Sequence, residues 1–586
     1  MLLYSENRTY IVCFSLLFCF AFSGCKPTPA TNKNSEQSSP KLVLQITVDA
    51  LREDLLKRYK SHFSEHGLNY LIDGGVYYEN AHYQHANTET IVGHTSLATG
   101  TIPAIHGMVG NVWLNREQNR LVYNIEDGQY RLLSESAGVD QKTEIDPTQK
   151  TAKSEGRSPT NILTSTFSDE LATHFAGRSK IFAVSVKDRG AVSMAGQHGK
   201  AYWFSKASGQ FVSSNYYYTE YPKWVTQWNQ SNPTAEYSQR AWHLQSKPGE
   251  YVFGLRDNQN FESDFPGFGR TFPHEYGSLG DKYFTTRLTL SPAGDQLTLE
   301  FAKALIENEQ LGLDETPDFL SISFSSTDYV GHIFGASSLE SEDNLLHLDR
   351  VLADLFSYID QKIGLENTII AFSADHGQPE VPEFLHAFGN NEAHYFDKKK
   401  ITQELIASST ELTAYQHQLS EGQLLIQEYF PPYLYLNHVE INASGLSVAE
   451  IQKVLAKQLR QVKGVSHALT QEDMANKHTL TDPISLSVAK NYHPKRSGDI
   501  YIVLDRNVYI ADFGRLQVSS THGSPWPYDT HVPVIFAGMS LSGKKISRAI
   551  TPYDVAPTLS ALLKIAEPSG SIGNTLNEVI ETRTSD

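Results

Sequence analysis

The chain has 586 residues, 40% of them hydrophobic and 20% charged, an ordinary globular composition long enough for one large core with insertions or for several domains. Its 66 acidic residues outnumber 49 basic ones, and the net charge of -17 argues against a protein that coats nucleic acid through a basic stripe; no nucleic-acid binding is expected. All three cysteines, Cys13, Cys19 and Cys25, fall near the N-terminus, so the body beyond them has no disulfide, no cysteine nucleophile and no cysteine metal ligand.

In chain order, Arg8 precedes an apolar run over residues 11–22 that is too short to span a membrane and ends in small residues, Ser23-Gly24-Cys25. This reads as a signal peptide over residues 1–24. A Cys directly after Ser-Gly is similar to the lipobox of bacterial lipoproteins, with Phe22 where leucine is usual and Glu6 offsetting Arg8. The expectation is therefore a lipid on Cys25 as the protein's only membrane attachment, and a periplasmic or outer-membrane location; a plain signal peptide that contains a Cys is the alternative. Residues 25–40, rich in Pro, Thr, Asn and Ser, read as a flexible tether.

The folded body spans residues 41–586. Apolar runs at 42–48, 181–186, 319–324, 368–372 and 533–536 read as strands buried on both faces, as in a parallel sheet. Between them lie helical patterns. Leu345, Leu348, Leu352, Leu355 and Ile359 repeat at 3-4-3-4 spacing after Ser341, which is the expected N-cap. The alternation predicts an α/β fold, a three-layer sandwich with a central, mostly parallel sheet. Two stretches break the rhythm and read as insertions. Residues at about 191–300 form an aromatic-rich cap or lobe, and those at about 430–500 a small α+β unit. At the tail, Asp554 opens a helix with Pro557 in its first turn.

Ligands of open α/β sheets collect at the carboxyl ends of the strands. The residues just past these strands are Asp49; Lys187, Asp188 and Arg189; Asp328, with His332 four residues on; and Asp375-His376. With His522, six of them are candidate metal ligands, enough for two adjacent divalent ions that each keep an open position. Taken singly, each is more often a helix cap or turn residue. The joint pattern is what points to a metal centre.

Thr90 is the candidate nucleophile. The segment 91–98 reads as a helix, which puts Thr90 at an N-terminus whose exposed amides favour an anion. A threonine hydroxyl needs a base or a metal to react near neutral pH. On chemistry alone Thr90 could equally be an N-cap, and Thr88, Thr95 and Ser96 remain open as rivals.

In order, these residues resemble the alkaline phosphatase superfamily, most closely its PafA-type, phosphate-irrepressible, Thr-nucleophile enzymes, which are related to the type I phosphodiesterase/nucleotide pyrophosphatase family. The resemblance covers nearly the whole body: Asp49, Thr90 before His94, Gly110-Asn111-Val112-Trp113, Lys187-Asp188-Arg189, Asp328/His332, Asp375-His376-Gly377 and His522-Gly523. It departs from the family only in Val112, where Asp is frequent. The resemblance implies two zinc ions, one held by Asp328, His332 and His522, the other by Asp49, Asp375, His376 and Thr90 as an alkoxide. It further implies that Asn111, Lys187 and Arg189 grip the phosphate oxygens.

The expected activity is hydrolysis of small phosphate monoesters through a phospho-threonine intermediate. A monoester carries close to two negative charges, and Lys187 with Arg189 can meet them, the arginine bidentately. A phosphodiesterase or nucleotide pyrophosphatase on the same two-zinc site is the alternative reading, and a non-catalytic surface lipoprotein the third. A sulfatase is disfavoured, since the body lacks Cys and has no Ser in the motif that formylglycine formation requires. The sequence sets no oligomeric state.

Overall fold

The computed structural model describes residues 39–512 and 516–584; the signal peptide, Cys25 and nearly all of the tether lie outside the described residues. The strands of the two larger sheets are, in chain order, β1 (Leu42–Val48), β2 (Val76–His82), β3 (Ile181–Ser185), β4 (Lys200–Ser205), β5 (Gln210–Val212), β6 (Asp318–Phe324), β7 (Thr368–Ser373), β8 (Ile426–Phe430), β9 (Tyr433–Leu436), β10 (Val465–Thr470), β11 (Ile500–Leu504), β12 (His531–Gly538) and β13 (Lys544–Ile546). The helices used below are α1 (Thr90–Thr99), α2 (Asp188–Ala195), α3 (Pro292–Glu309), α4 (Ser326–Phe334), α5 (Leu339–Lys362), α6 (Val448–Leu459) and α7 (Val555–Leu563).

Nine strands form the central sheet in the order β13-β2-β12-β7-β1-β6-β3-β4-β5. From β7 through β1, β6 and β3 to β4 all neighbours run parallel. Every residue of β1 is buried, because helices cover both faces of the sheet. Leu42, Leu44, Ile46 and Val48 pack into one core with α3, α4 and α5, while Val43 faces the other core with α1, α2 and α7. The result is the three-layer α/β sandwich expected from the sequence.

Three expectations are corrected in detail. The strand near 533–536 is β12, and it runs antiparallel to both β7 and β2. This reversal matters for the site: β12 begins at the edge where the parallel strands end, so the loop before it, which carries His522, arrives at that edge. Ser341 is not the N-cap of the long helix. Ser338 caps it, its side chain accepting from Ser341 N, and α5 starts at Leu339. Within the aperiodic stretch 191–300, β4 and β5 extend the central sheet and α3 packs on β6.

The later insert builds a four-stranded sheet in the order β8-β9-β11-β10, its neighbours antiparallel. It has a core of its own, in which Leu434, Leu436, Ile500 and Ile502 meet Ile451, Leu455 and Leu459 of α6. No described helix is long and apolar enough to cross a membrane.

Candidate active site

The parallel register brings the strand ends together. Val48 pairs with Phe324, and Thr47 with Ser373, so the residues after β1, β6 and β7 share one edge. Asp49 comes directly after β1. Asp328 and His332 sit four apart on α4 and so share a face of that helix. Asp375 and His376 lie just past β7. The His522 loop is held by Asp529, whose Oδ2 accepts from Gly523 N at 3.2 Å and from Ser524 N at 2.9 Å.

Two overlapping groups gather there: Asp328, His332 and His522, and Asp49, Asp328 and His376. His332 Nε2 and His522 Nε2 each lie 3.2 Å from Asp328 Oδ1. His376 Nε2 lies 3.4 Å from both Asp49 Oδ1 and Asp375 Oδ2. Asp375 has two further neighbours: His94 Nδ1 is 3.0 Å from its Oδ2, and Ala50 N donates to its Oδ1 at 3.2 Å.

The donor set fits a metal. His332, His376 and His522 direct Nδ1 at the backbone carbonyls of Ser520, Gly377 and Thr88, at 2.7, 2.9 and 2.8 Å. A carbonyl only accepts, so each Nδ1 carries a proton, and in the neutral form that binds a metal each Nε2 lone pair faces a carboxylate. Lone pair facing carboxylate is repulsive unless a cation lies between them, and this second-layer arrangement is how metal-binding histidines are oriented. The charges agree. Burial and the neighbouring Asp375 hold Asp49 well above the usual carboxylate range in spite of Lys187. Burial pushes His376 down to about 3. Burial also opposes a charge on His522, yet Asp328 lifts it to about 9, so positive charge is favoured at that point.

Thr90 is the first helical residue of α1; Glu89 occupies the N-cap, and no side chain caps the helix. The Thr90 hydroxyl is therefore free of a capping role. It accepts from Lys187 Nζ at 3.4 Å and from Arg189 Nη2 at 3.3 Å. Of the rivals, Thr88 donates to Ser524 O and Ser96 faces His106, while Thr95 is buried without a hydrogen-bond partner. Lys187 Nζ also bridges Asp49 Oδ2 at 2.7 Å and Asp328 Oδ2 at 2.5 Å, joining the two ligand groups. Asn111 Oδ1 accepts from Ile91 N at 3.2 Å, which orients its amide beside Thr90. Val112 is buried in an apolar core.

Residues 43–525 match the family model for type I phosphodiesterase/nucleotide pyrophosphatase. The chain belongs to this family. Alkaline phosphatase PafA of Elizabethkingia meningoseptica is 32% identical over 554 residues, covering 94% of this chain and 96% of that protein. Alkaline phosphatase PhoV of Synechococcus elongatus is 33% identical over 588 residues, covering 97% and 99%. The crystal structure of wild-type alkaline phosphatase PafA matches with a TM-score of 0.82 at 31% identity, over 92% of this chain and 99% of that one. The alkaline phosphatase fold read from the motifs is thus the fold observed.

In this family member three further residues shape the site that sequence reasoning did not single out. Asp146 Oδ2 accepts from Arg189 Nη1 at 2.8 Å, and its Oδ1 is occupied by Thr148 N at 2.8 Å. Asp146 lies in an irregular segment with no periodic signal. Glu89 Oε2 accepts from Asn111 N at 2.7 Å and Asn87 Nδ2 at 3.0 Å, and burial raises its pKa. His94, noted only as a motif marker, joins Asp375 to Ser323, with Nε2 2.8 Å from Ser323 Oγ. A cleft of about 410 Å³ opens over the site, its polar end lined by Asn111, Lys187, Arg189, Asp328, His332 and His522.

Proposed function

We propose that this chain is a metal-dependent alkaline phosphatase that hydrolyses small phosphate monoesters through a phosphorylated Thr90. The chain is a phosphoric monoester hydrolase. The observation that carries the reading is the convergence of Lys187 and Arg189 on the Thr90 hydroxyl, 3.4 and 3.3 Å away, beside two groups of side chains able to hold a metal ion.

Asp328, His332 and His522 would hold one zinc, and Asp49, Asp375 and His376, with Thr90, the other. Bound there, the ions supply Lewis acidity and charge neutralisation on both sides of an in-line displacement. The chain's own groups do the rest. The N-terminus of α1 and two cations lower the cost of removing the Thr90 proton. The Thr90 oxygen forms a bond to phosphorus as the ester oxygen leaves, and the departing alkoxide takes up a proton in place of the one Thr90 has given to solvent. Arg189 Nη2, Lys187 Nζ and the Asn111 amide are placed to donate to the three remaining oxygens, whose charge they balance. Water then attacks the phosphothreonine from the vacated side, releasing inorganic phosphate and restoring the hydroxyl.

The test is direct. Purified protein should release phosphate from 4-nitrophenyl phosphate, lose this on chelation and regain it with zinc. Thr90→Ala should lower turnover by roughly a thousandfold or more, and acid quench during turnover should trap a phosphate on Thr90 in the wild type. Near-full activity of the Thr90→Ala protein sinks the assignment.

Export and lipid anchoring belong to the same reading. They are supported by the apolar run over residues 11–22, the Ser-Gly-Cys boundary and a cysteine-free body. Cys25→Ala should move the protein from the membrane fraction to the soluble periplasm; unchanged membrane attachment would contradict the lipid.

A further inference from the structure

The cleft over the site is lopsided. Its lining includes Asp328, His332 and His522, whereas Asp49, Asp375 and His376 are fully buried and do not line it. On the reading proposed above, the leaving oxygen departs on the Asp328 side, so the cleft opens where the leaving group goes.

The far wall of this cleft is apolar and aromatic. Tyr429 and Phe430 come from the end of β8, Pro432 from the turn to β9, and Tyr501 and Val503 from β11. Tyr501 is only 1% exposed, and its ring meets that of Tyr433 edge to face at 5.1 Å; both rings and Val503 belong to the core shared with α1 and α2, which fixes this part of the wall. The Tyr501 hydroxyl is buried with no hydrogen-bond partner, and burial holds it in its neutral form. Tyr429 and Phe430 are partly exposed. A phosphoryl group held by Thr90, Lys187 and Arg189 fills only the polar end. The alcohol behind it meets aromatic rings. Lys398, which also borders the cleft, is paired with Asp512 at 2.8 Å.

We infer that this wall is a leaving-group site, and that the chain favours phosphate esters whose alcohol carries a flat apolar ring. The inference rests on the monoesterase reading and adds the substrate class. A ring buried there gains apolar contact and an offset or edge-on aromatic partner, neither of which a short alkyl or fully hydroxylated leaving group obtains.

The experiment compares 2-phenylethyl phosphate with ethyl phosphate on the zinc-loaded protein. Both alcohols are primary and similar in acidity, so the difference reports the wall and not the chemistry of departure. The wild type should favour the phenylethyl ester in kcat/KM by roughly tenfold or more. Phe430→Ala and Tyr429→Ala, each checked for folding by its thermal melt, should lower that preference to about twofold. A wild-type ratio near one, with ethyl phosphate turned over, overturns the inference and leaves the monoesterase reading standing. A ratio that survives both substitutions overturns it as well. Turnover of neither ester removes the monoesterase reading itself.

Discussion

Arg189 Nη1 donates to Asp146 Oδ2 at 2.8 Å, which fixes the rotation of the guanidinium and turns its Nη2 toward the Thr90 hydroxyl. A planar guanidinium has donors on two edges, so a carboxylate on one edge sets where the other points. Asp146 thus acts through Arg189 and touches no reacting atom. Tyr123 adds a second restraint: its hydroxyl accepts from the same Nη1 at 3.4 Å and donates to Asp188 at 2.6 Å.

Asp146→Asn should therefore lower kcat/KM for a monoester by roughly tenfold to a hundredfold, since a small misplacement of a clamping group is expensive in rate. Diester turnover, which relies less on the second charge, should fall much less. The two rates measured side by side check this; an equal loss on both substrates would mean that Asp146 only supports the fold.

The legibility of the site from sequence divides in the same way. Asp49, Asp328 and Asp375 are readable because each sits just past a continuous apolar strand, and three parallel strands in register bring their ends together. His522 is readable as a motif, but its arrival depends on β12 reversing direction, which an apolar run alone does not encode. Asp146 is not readable. It belongs to an irregular segment, and only tertiary packing places it beside Arg189. The N-cap of α5 falls three residues before the expected one because Ser338 and Ser341 offer the same chemistry in one helical turn.

Gly93 makes a prediction about packing. A Cβ built there would sit 1.9 Å from the Asp375 carbonyl oxygen, so only glycine lets α1 lie against the residues just past β7. Gly93→Ala should push Thr90 and Asp375 apart and destabilise the fold by about 1–3 kcal/mol. A melt and an activity assay check it: activity should fall even where the protein remains folded, and an active, unshifted variant would contradict the close approach.

Asp295 makes a prediction about pH. It is fully buried on α3, accepts from Ser326 N at 3.1 Å and leaves Oδ2 without a partner. Burial raises its pKa from 3.8 to about 7, against the hydrogen bonds from Ser326. Because the folded value exceeds the unfolded one, the folded state holds a proton that the unfolded chain releases. Stability from this group therefore falls as pH rises from about 4 to about 7 and stays low above that. Asp295→Asn removes the buried charge, so its melting temperature should gain on the wild type as pH passes from 5 to 8. A pH-independent difference would contradict the buried carboxylate.

The central claim, that Lys187, Arg189 and Thr90 form a site for a doubly charged phosphoryl group, is tested most directly by one rate comparison. On zinc-loaded wild type and Arg189→Ala, kcat/KM is measured for 4-nitrophenyl phosphate and for methyl 4-nitrophenyl phosphate, which share a leaving group. The account predicts a wild-type preference for the monoester of roughly a hundredfold or more, collapsing on loss of Arg189. A wild type that hydrolyses the diester faster, or a preference untouched by Arg189→Ala, would contradict it.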